Sequence, residues 1–198
     1  HARGQSPEDA ARRARYTAIA EVAARDWGEG GPRDVALAQH ADDQVETMLI
    51  ALSRGAGLDG LAAMPRRIER HGVCFHRPLL EVHGTALREW TAASGTAHTD
   101  DPSNADLRYT RNRIRLQVLP ALAAALPQFR ETFARSARNA ARASGLLAEI
   151  AAEDIAAAGS PPTLAALRAL PRERPSNALG DWLKRGHGAG AGGAQVDQ

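Results

Sequence analysis

Asp34-Val35-Ala36-Leu37-Ala38-Gln39-His40-Ala41-Asp42-Asp43-Gln44-Val45-Glu46-Thr47 is the stretch on which the fold turns. Its first five residues form a short apolar run that suits a buried strand, and Gln39-His40 makes a loop. From Asp42 or Asp43 to Ser53, the residues Val45, Met48, Leu49 and Leu52 recur at helical spacing, and Gly55 is a natural stop. A helix is predicted upstream from Ser6 to about Ala24, with Ser6 as N-cap, Pro7 at the first helical position and Asp9 closing a capping-box-like pair. Gly28 to Pro32 break the chain between helix and strand. Helix, strand and helix in succession is the α/β rhythm.

Downstream, Arg67–Arg70 and Val73–Arg77 flank His71-Gly72 as the arms of a hairpin. A further helix is predicted over His83–Ala93 and ends at Gly95. Asp100-Asp101-Pro102-Ser103-Asn104 is turn chemistry before a helical stretch starting near Ala105. After Pro120 the character changes to Ala, Leu and Arg, and Phe129, Phe133, Leu146, Leu147 and Ile150 are spaced for one long helix from about Pro127 to Ala158. Gly159-Ser160-Pro161-Pro162 interrupts it, and Thr163–Ala169 and Ser176–Lys184 read as two short helices. The expected organisation is therefore α/β over residues 1–119, with a partial Rossmann-like parallel sheet, then an all-helical domain over 120–185. A flexible glycine-rich tail occupies 186–198. No fixed-period repeat is present, which excludes a solenoid.

The 198 residues, 43% hydrophobic and only 4% aromatic, suffice for one domain or one and part of a second, with a core of Ala, Leu, Val and Ile. The net charge of +2 does not by itself argue for nucleic acid. All but one of the 25 Lys+Arg residues are arginines, Lys184 being the exception. Arginine suits phosphate and carboxylate, although a GC-rich coding bias produces the same excess. The single cysteine, Cys74, excludes an internal disulfide, a multi-cysteine zinc site and a Cys-x-x-Cys redox pair. Between Val73 and Phe75 it reads as a small core residue. His71, His76, His83 and His98 show no metal-ligand spacing along the sequence. No apolar run approaches the ~20 residues that span a bilayer. A soluble protein in a reducing, cytoplasmic setting is expected.

Three segments carry chemistry. His40 to Thr47 lies where a strand's carboxyl end passes into a helix N-terminus, the edge where open α/β sheets bind ligands. Asp43 and Glu46, three apart, share a face and could jointly hold an ammonium group or a Mg²⁺ ion, with His40 donating to a phosphate; ordinary helix capping accounts for the same residues. Arg12 and Arg15 lie on one side of the first helix, placed for a polyphosphate or an RNA backbone, or simply solvated. Arg111 and Arg115, four apart with Asn112 beside them, suit a phosphate or a base edge. The alternative is an exposed helix whose Leu107 and Ile114 face the core. Arg54-Gly55-Ala56-Gly57 is a weaker case, in which the glycines let backbone approach a ligand or merely end the helix.

In order and spacing, these segments together resemble the tRNA(Ile)-lysidine synthases of the PP-loop ATP pyrophosphatase superfamily. The resemblance is carried by Glu8 with Ala11–Tyr16, Leu37–Thr47, Arg54–Gly57, Gly60–Met64, Arg77–Leu80, Asp101–Asn104, Arg111–Arg115 and Leu119-Pro120. It implies a two-step reaction in which ATP adenylates the wobble cytidine of an isoleucine tRNA with a CAU anticodon, and the amine of free lysine then displaces AMP. By that resemblance Arg12, His40, Asp43 and Glu46 are the catalytic set, and Asp43 and Glu46 hold lysine or Mg²⁺. Arg15, Arg54, Asn104, Arg111, Asn112, Arg113 and Arg115 face tRNA or nucleotide phosphate. ATP and Mg²⁺ are the implied cofactors, tRNA and lysine the partners, and a homodimer a candidate assembly.

The chain departs from the family in lacking its Ser-Gly-Gly-x-Asp-Ser nucleotide turn, and it carries Gln39-His40 for a histidine pair and Ala56 for a serine. The expectation is accordingly a piece of the enzyme without its amino-terminal strands, inactive alone, poorly stable and prone to aggregate through an exposed sheet edge. A non-catalytic RNA-binding remnant and another PP-loop tRNA-modifying enzyme are the competing readings.

Overall fold

The computed structural model describes residues 7–27, 33–99 and 101–187. The expectations on Ser6, on Gly28–Pro32, on Asp100 and on the tail beyond His187 lie outside these residues. Helix α1 (Pro7–Trp27) is followed by β1 (Asp34–Ala36), α2 (Ala41–Ser53) and a single turn, α3 (Leu58–Leu61). Next come β2 (Arg67–Arg70), β3 (Val73–His76) and α4 (Gly84–Ala93). A 3₁₀ turn at Pro102–Ala105 leads into α5 (Thr110–Arg113), a π-helical turn at Ile114–Val118, and α6 (Leu119–Ala125). The long α7 (Phe129–Ala158) precedes α8 (Leu164–Ala169) and α9 (Arg174–His187). None of the described helices is long and apolar enough to cross a membrane.

The chain is α/β followed by helices, as its pattern implies, but the sheet is mixed rather than purely parallel. Its order is β1-β3-β2, with β1 parallel and β2 antiparallel to β3. The hairpin closes through His71 (φ 53°) and Gly72 (φ 72°). Two successive left-handed residues make the turn that matches strand twist, and glycine takes that conformation without steric cost. Tyr16, Ile19, Ala20 and Ala23 recur at helical spacing on α1 and pack against Val35, Ile68, Val73 and Phe75 of the sheet. The Tyr16 and Phe75 rings meet edge to face at 4.7 Å, and the Arg70 guanidinium lies 4.9 Å above the Tyr16 ring.

Two expected details differ. The helix placed near Ala105 begins only at Thr110, because Asp101 accepts from the Ser103 N–H and closes a tight turn instead. Leu107, expected to face the core, is 45% exposed in the loop that results. The π turn has its own cause. Pro120 has no N–H to give and its ring crowds the carbonyl one turn back, so the helix widens just before it, with the Leu119 N–H reaching five residues back to Ile114.

The chain divides into two compact units: the chain up to Thr47 with Met64–Ala134, and Met48–Ala63 with the chain from Arg135. The second unit buries Ala137, Ala140, Ala151, Ala158, Leu167 and Ala178, all small or aliphatic. Its buried Asp154 is held by both arms of Arg174, at 2.6 and 2.9 Å. Asp59 accepts hydrogen bonds from Ser144 and from Lys184, which hold its carboxyl below the usual range. Thr163 caps α8 by accepting from the Ala166 N–H.

Candidate functional site

The site is built on the first turn of α2. The Ala41 N–H donates to the Val82 carbonyl at 2.9 Å, fixing the start of the helix beside the approach to α4. Asp43 reaches back to accept from the His40 N–H at 2.9 Å, one half of a capping box. Gln44 clamps Met64 with both ends of its carboxamide, at 2.8 Å each. Val45 packs inward on the same helix and is fully buried.

Three carboxylates are thereby buried on one short segment, and each faces a guanidinium. Glu46 is 0% exposed, and Arg115 grips it through Nε to Oε1 at 2.7 Å and Nη2 to Oε2 at 3.1 Å. The same Nη2 reaches Asp43 Oδ1 at 3.0 Å. Arg111 Nε lies 3.7 Å from Glu46 Oε2, while its Nη2 donates to Thr47 Oγ1 at 3.1 Å. Arg130 Nε donates to Asp42 Oδ1 at 2.5 Å, and Asp42 Oδ2 accepts from the Gly84 N–H at 3.1 Å. Capping and ligation were alternatives in the sequence. Here one oxygen of Asp43 caps the helix and the other faces Arg115. Burial pushes the Glu46 carboxyl up, opposed by the hydrogen bonds and charge of Arg115. Burial also works against the Arg115 charge, but Glu46, Asp43 and Asp42 outweigh it and raise the guanidinium further.

Beside the cluster, a cavity of about 230 Å³ is lined by His40, Asp42, Arg88, Arg115 and Arg130, with Leu119, Pro120 and Ala123 as its apolar wall. That is below the roughly 300–1,000 Å³ of drug-sized pockets, so it suits a small polar molecule. His40 Nδ1 is buried and has no hydrogen-bond partner among the described residues. It lies 3.7 Å from Asp42 Oδ2, and Nε2 lies 3.6 Å from Asp43 Oδ2.

The structure thus brings His40, Asp43, Glu46, Arg111 and Arg115 together. Asn112 sits beside them in sequence but turns away: its amide donates to the Ser103 and Asp106 carbonyls at 2.7 and 2.9 Å, anchoring the preceding loop. Arg113 likewise donates to Leu107, Arg108 and Thr110, and Asn104 is exposed in the 3₁₀ turn. Arg12 and Arg15 are exposed on α1, and Arg54 is exposed after α2 in the second unit. Sequence reasoning missed Asp42 as a participant, and with it Arg88, Arg130 and Gly84. It also missed Arg77, which is buried and ties Gln39, the Pro65 carbonyl and the Tyr16 hydroxyl together at 2.7–2.8 Å. Only an arginine standing alone among apolar neighbours in Arg77-Pro78-Leu79-Leu80 hints at that role.

A strand end that runs into a helix N-terminus bearing a buried, charge-matched polar cluster is the arrangement of an α/β protein, and the carboxyl edge of such sheets is where this class of fold binds its ligands. The PP-loop domain family matches residues 1–122, and the chain belongs to it. The chain is 57% identical over 183 residues to a tRNA(Ile)-lysidine synthase of Polaromonas naphthalenivorans (strain CJ2), covering 92% of this chain and 55% of that protein. Proteins of the same name from Pseudomonas putida and Burkholderia pseudomallei are 42% and 44% identical over 92% of this chain, and over 44% and 38% of their own lengths. The chain spans about half the length, or less, of these curated relatives.

Proposed function

We propose that the chain carries the lysine-facing side of a tRNA(Ile)-lysidine synthase, joining free lysine to the wobble cytidine of a tRNA(Ile) with a CAU anticodon. The observation that supports this most is the Arg115 guanidinium seated on Asp43 and Glu46, which marks the pair as an acceptor of a cationic nitrogen. A lysine ammonium makes the same N–H to carboxylate bonds, so it exchanges with Arg115 without leaving either acid unmatched. Arg88 and Arg130 line the adjoining cavity beside His40 and Asp42, and their guanidiniums suit a carboxylate, so the two halves match an amino-acid zwitterion. ATP supplies the leaving group by adenylating the cytidine. The role of these residues is to orient the amine toward it. Mg²⁺ demands a near-octahedral shell of oxygens. Carboxylates already hydrogen-bonded to guanidinium fit an ammonium better, so no step is assigned to the metal here. The exposed Arg12 stays in the catalytic set, facing the nucleotide or the activated cytidine, and the exposed Arg15 stays assigned to tRNA.

The test uses the complete gene product with a tRNA(Ile) transcript. In Glu46→Gln and Asp43→Asn, the KM for lysine should rise at least about tenfold, the loss of a charged hydrogen bond worth roughly 1.5–3 kcal/mol, while tRNA-dependent pyrophosphate release continues. An unchanged KM for lysine would remove the assignment. Steeply salt-dependent tRNA binding that ignores ATP and lysine would favour the RNA-binding reading.

A pH dependence follows from the buried acid. Lysine binding needs Glu46 ionised, and its carboxyl titrates above the ordinary range because of burial. On acidification the lysine KM should therefore begin to rise at a higher pH than an ordinary glutamate would impose, and Glu46→Gln should flatten that limb. The stability term has the opposite sense. A raised carboxyl favours the folded chain most below the unfolded glutamate value of ~4.3, and that contribution is lost as pH rises through the folded value.

A further inference from the structure

We propose that Asp34, Cys74 and His76 form a binding site for a thiophilic divalent cation of the zinc class, outside the carboxylate cluster. The backbone places them. Cys74 and His76 are two apart on β3, so both project from one face of the sheet, and the parallel register pairs Asp34 of β1 with Cys74. Val73 and Phe75 alternate with them and pack toward α1, so this is the other face.

The ligand atoms of the three residues lie within 4.8 Å of one another. His76 Nε2 and Asp34 Oδ1 already meet at 2.6 Å. Ligand atoms around a tetrahedral zinc, bound at about 2.0–2.3 Å, sit roughly 3.3–3.7 Å apart. Ångström-scale side-chain rotations therefore complete the geometry without moving the strands. Sulfur, imidazole and carboxylate are the zinc donor set, and water takes the fourth position. Arg67 Nε donates to Cys74 Sγ at 2.7 Å, the kind of outer hydrogen bond that fixes a ligating sulfur. Asp34 and His76 have side chains 69% and 41% exposed, so the ion has an entry path, while Cys74 is buried. On binding, the metal takes the place of the proton between His76 Nε2 and Asp34, which passes to solvent or, from a neutral ring, to Nδ1, and the thiol proton leaves to solvent.

Cobalt(II) titration of the intact, reduced chain tests the site, since Cys74 is the only sulfhydryl and any thiolate-to-cobalt charge-transfer band must come from it. The band should saturate at one equivalent, be displaced by zinc and vanish in Cys74→Ser. In His76→Ala and Asp34→Asn, affinity should fall at least about tenfold, as expected when metal-site support is lost. Asp34 is exposed, so Asp34→Asn carries the test even if a core substitution fails to fold. Zinc should also raise the thermal midpoint of the wild type more than that of Asp34→Asn at the same zinc concentration. No band with the wild type, or the same affinity in Asp34→Asn and His76→Ala, would overturn the assignment.

Discussion

Replacing Arg115 by alanine should destabilise the first unit by about 3 kcal/mol, the lower end of the ~3–5 kcal/mol typical of breaking a buried ion pair. The reason lies in Glu46. It is fully buried, and among the described residues its carboxylate without Arg115 keeps only the Arg111 guanidinium, at 3.7 Å. The lower end applies because the Arg115 side chain is 36% exposed, so water already screens part of the interaction. Urea denaturation at neutral pH measures the loss. The penalty should shrink as pH falls, because a protonated Glu46 no longer needs a counter-charge. Arg115→Leu combined with Glu46→Leu should recover the part of the loss owed to Glu46, leaving the part owed to Asp43, whose Oδ1 still loses its Arg115 contact. A single Arg115→Ala as stable as wild type would mean that Glu46 is neutral in the resting protein.

Gly84→Ala should cost about 2 kcal/mol, within the ~1–3 kcal/mol range of overpacking. A Cβ there would lie 2.6 Å from Asp42 Oδ2 and 2.9 Å from His40 Cε1. Asp42 must then leave the Gly84 N–H, and its contact with Arg130 goes with it. The same substitution has the opposite sign elsewhere. Gly145, inside α7, has open space where a Cβ would stand, and Gly145→Ala should stabilise by about 0.5–1 kcal/mol through the lower helix propensity of glycine. Thermal midpoints of the two variants should move in opposite directions, and a shared direction would contradict the packing around Asp42.

The parts of this fold that could be read from the sequence are those set by local spacing. Val45 and Met48 announced α2, His71-Gly72 the hairpin, and the apolar spacing after Phe129 the long α7. Asp43 and Glu46 were legible for the same reason, being three apart on one helix. Their partners were not. Arg130 is 88 residues from Asp42 and Arg115 is 69 from Glu46, and no local pattern encodes which guanidinium meets which acid. The partners of Asn112 are equally illegible locally, because its carboxamide answers two loop carbonyls that are in place only once Pro102–Ala105 has turned. His76 looked like a histidine without metal spacing, because its neighbour Asp34 is set by sheet order rather than by sequence distance.

The widened turn before Pro120 makes chain length itself a determinant of the site. Each residue of an α-helix advances the chain by about 100° around its axis. Deleting one residue between Ile114 and Val118 would restore an ordinary α turn and leave Thr110–Arg113 near its present angle to Leu119–Ala125, because the widened turn spends one extra residue on about the same rotation. A second deletion there would swing Arg111 away from Thr47, whatever side chains were kept. The segment should therefore accept point substitutions at its exposed positions Leu116 and Val118, and one single-residue deletion, far better than a deletion of two.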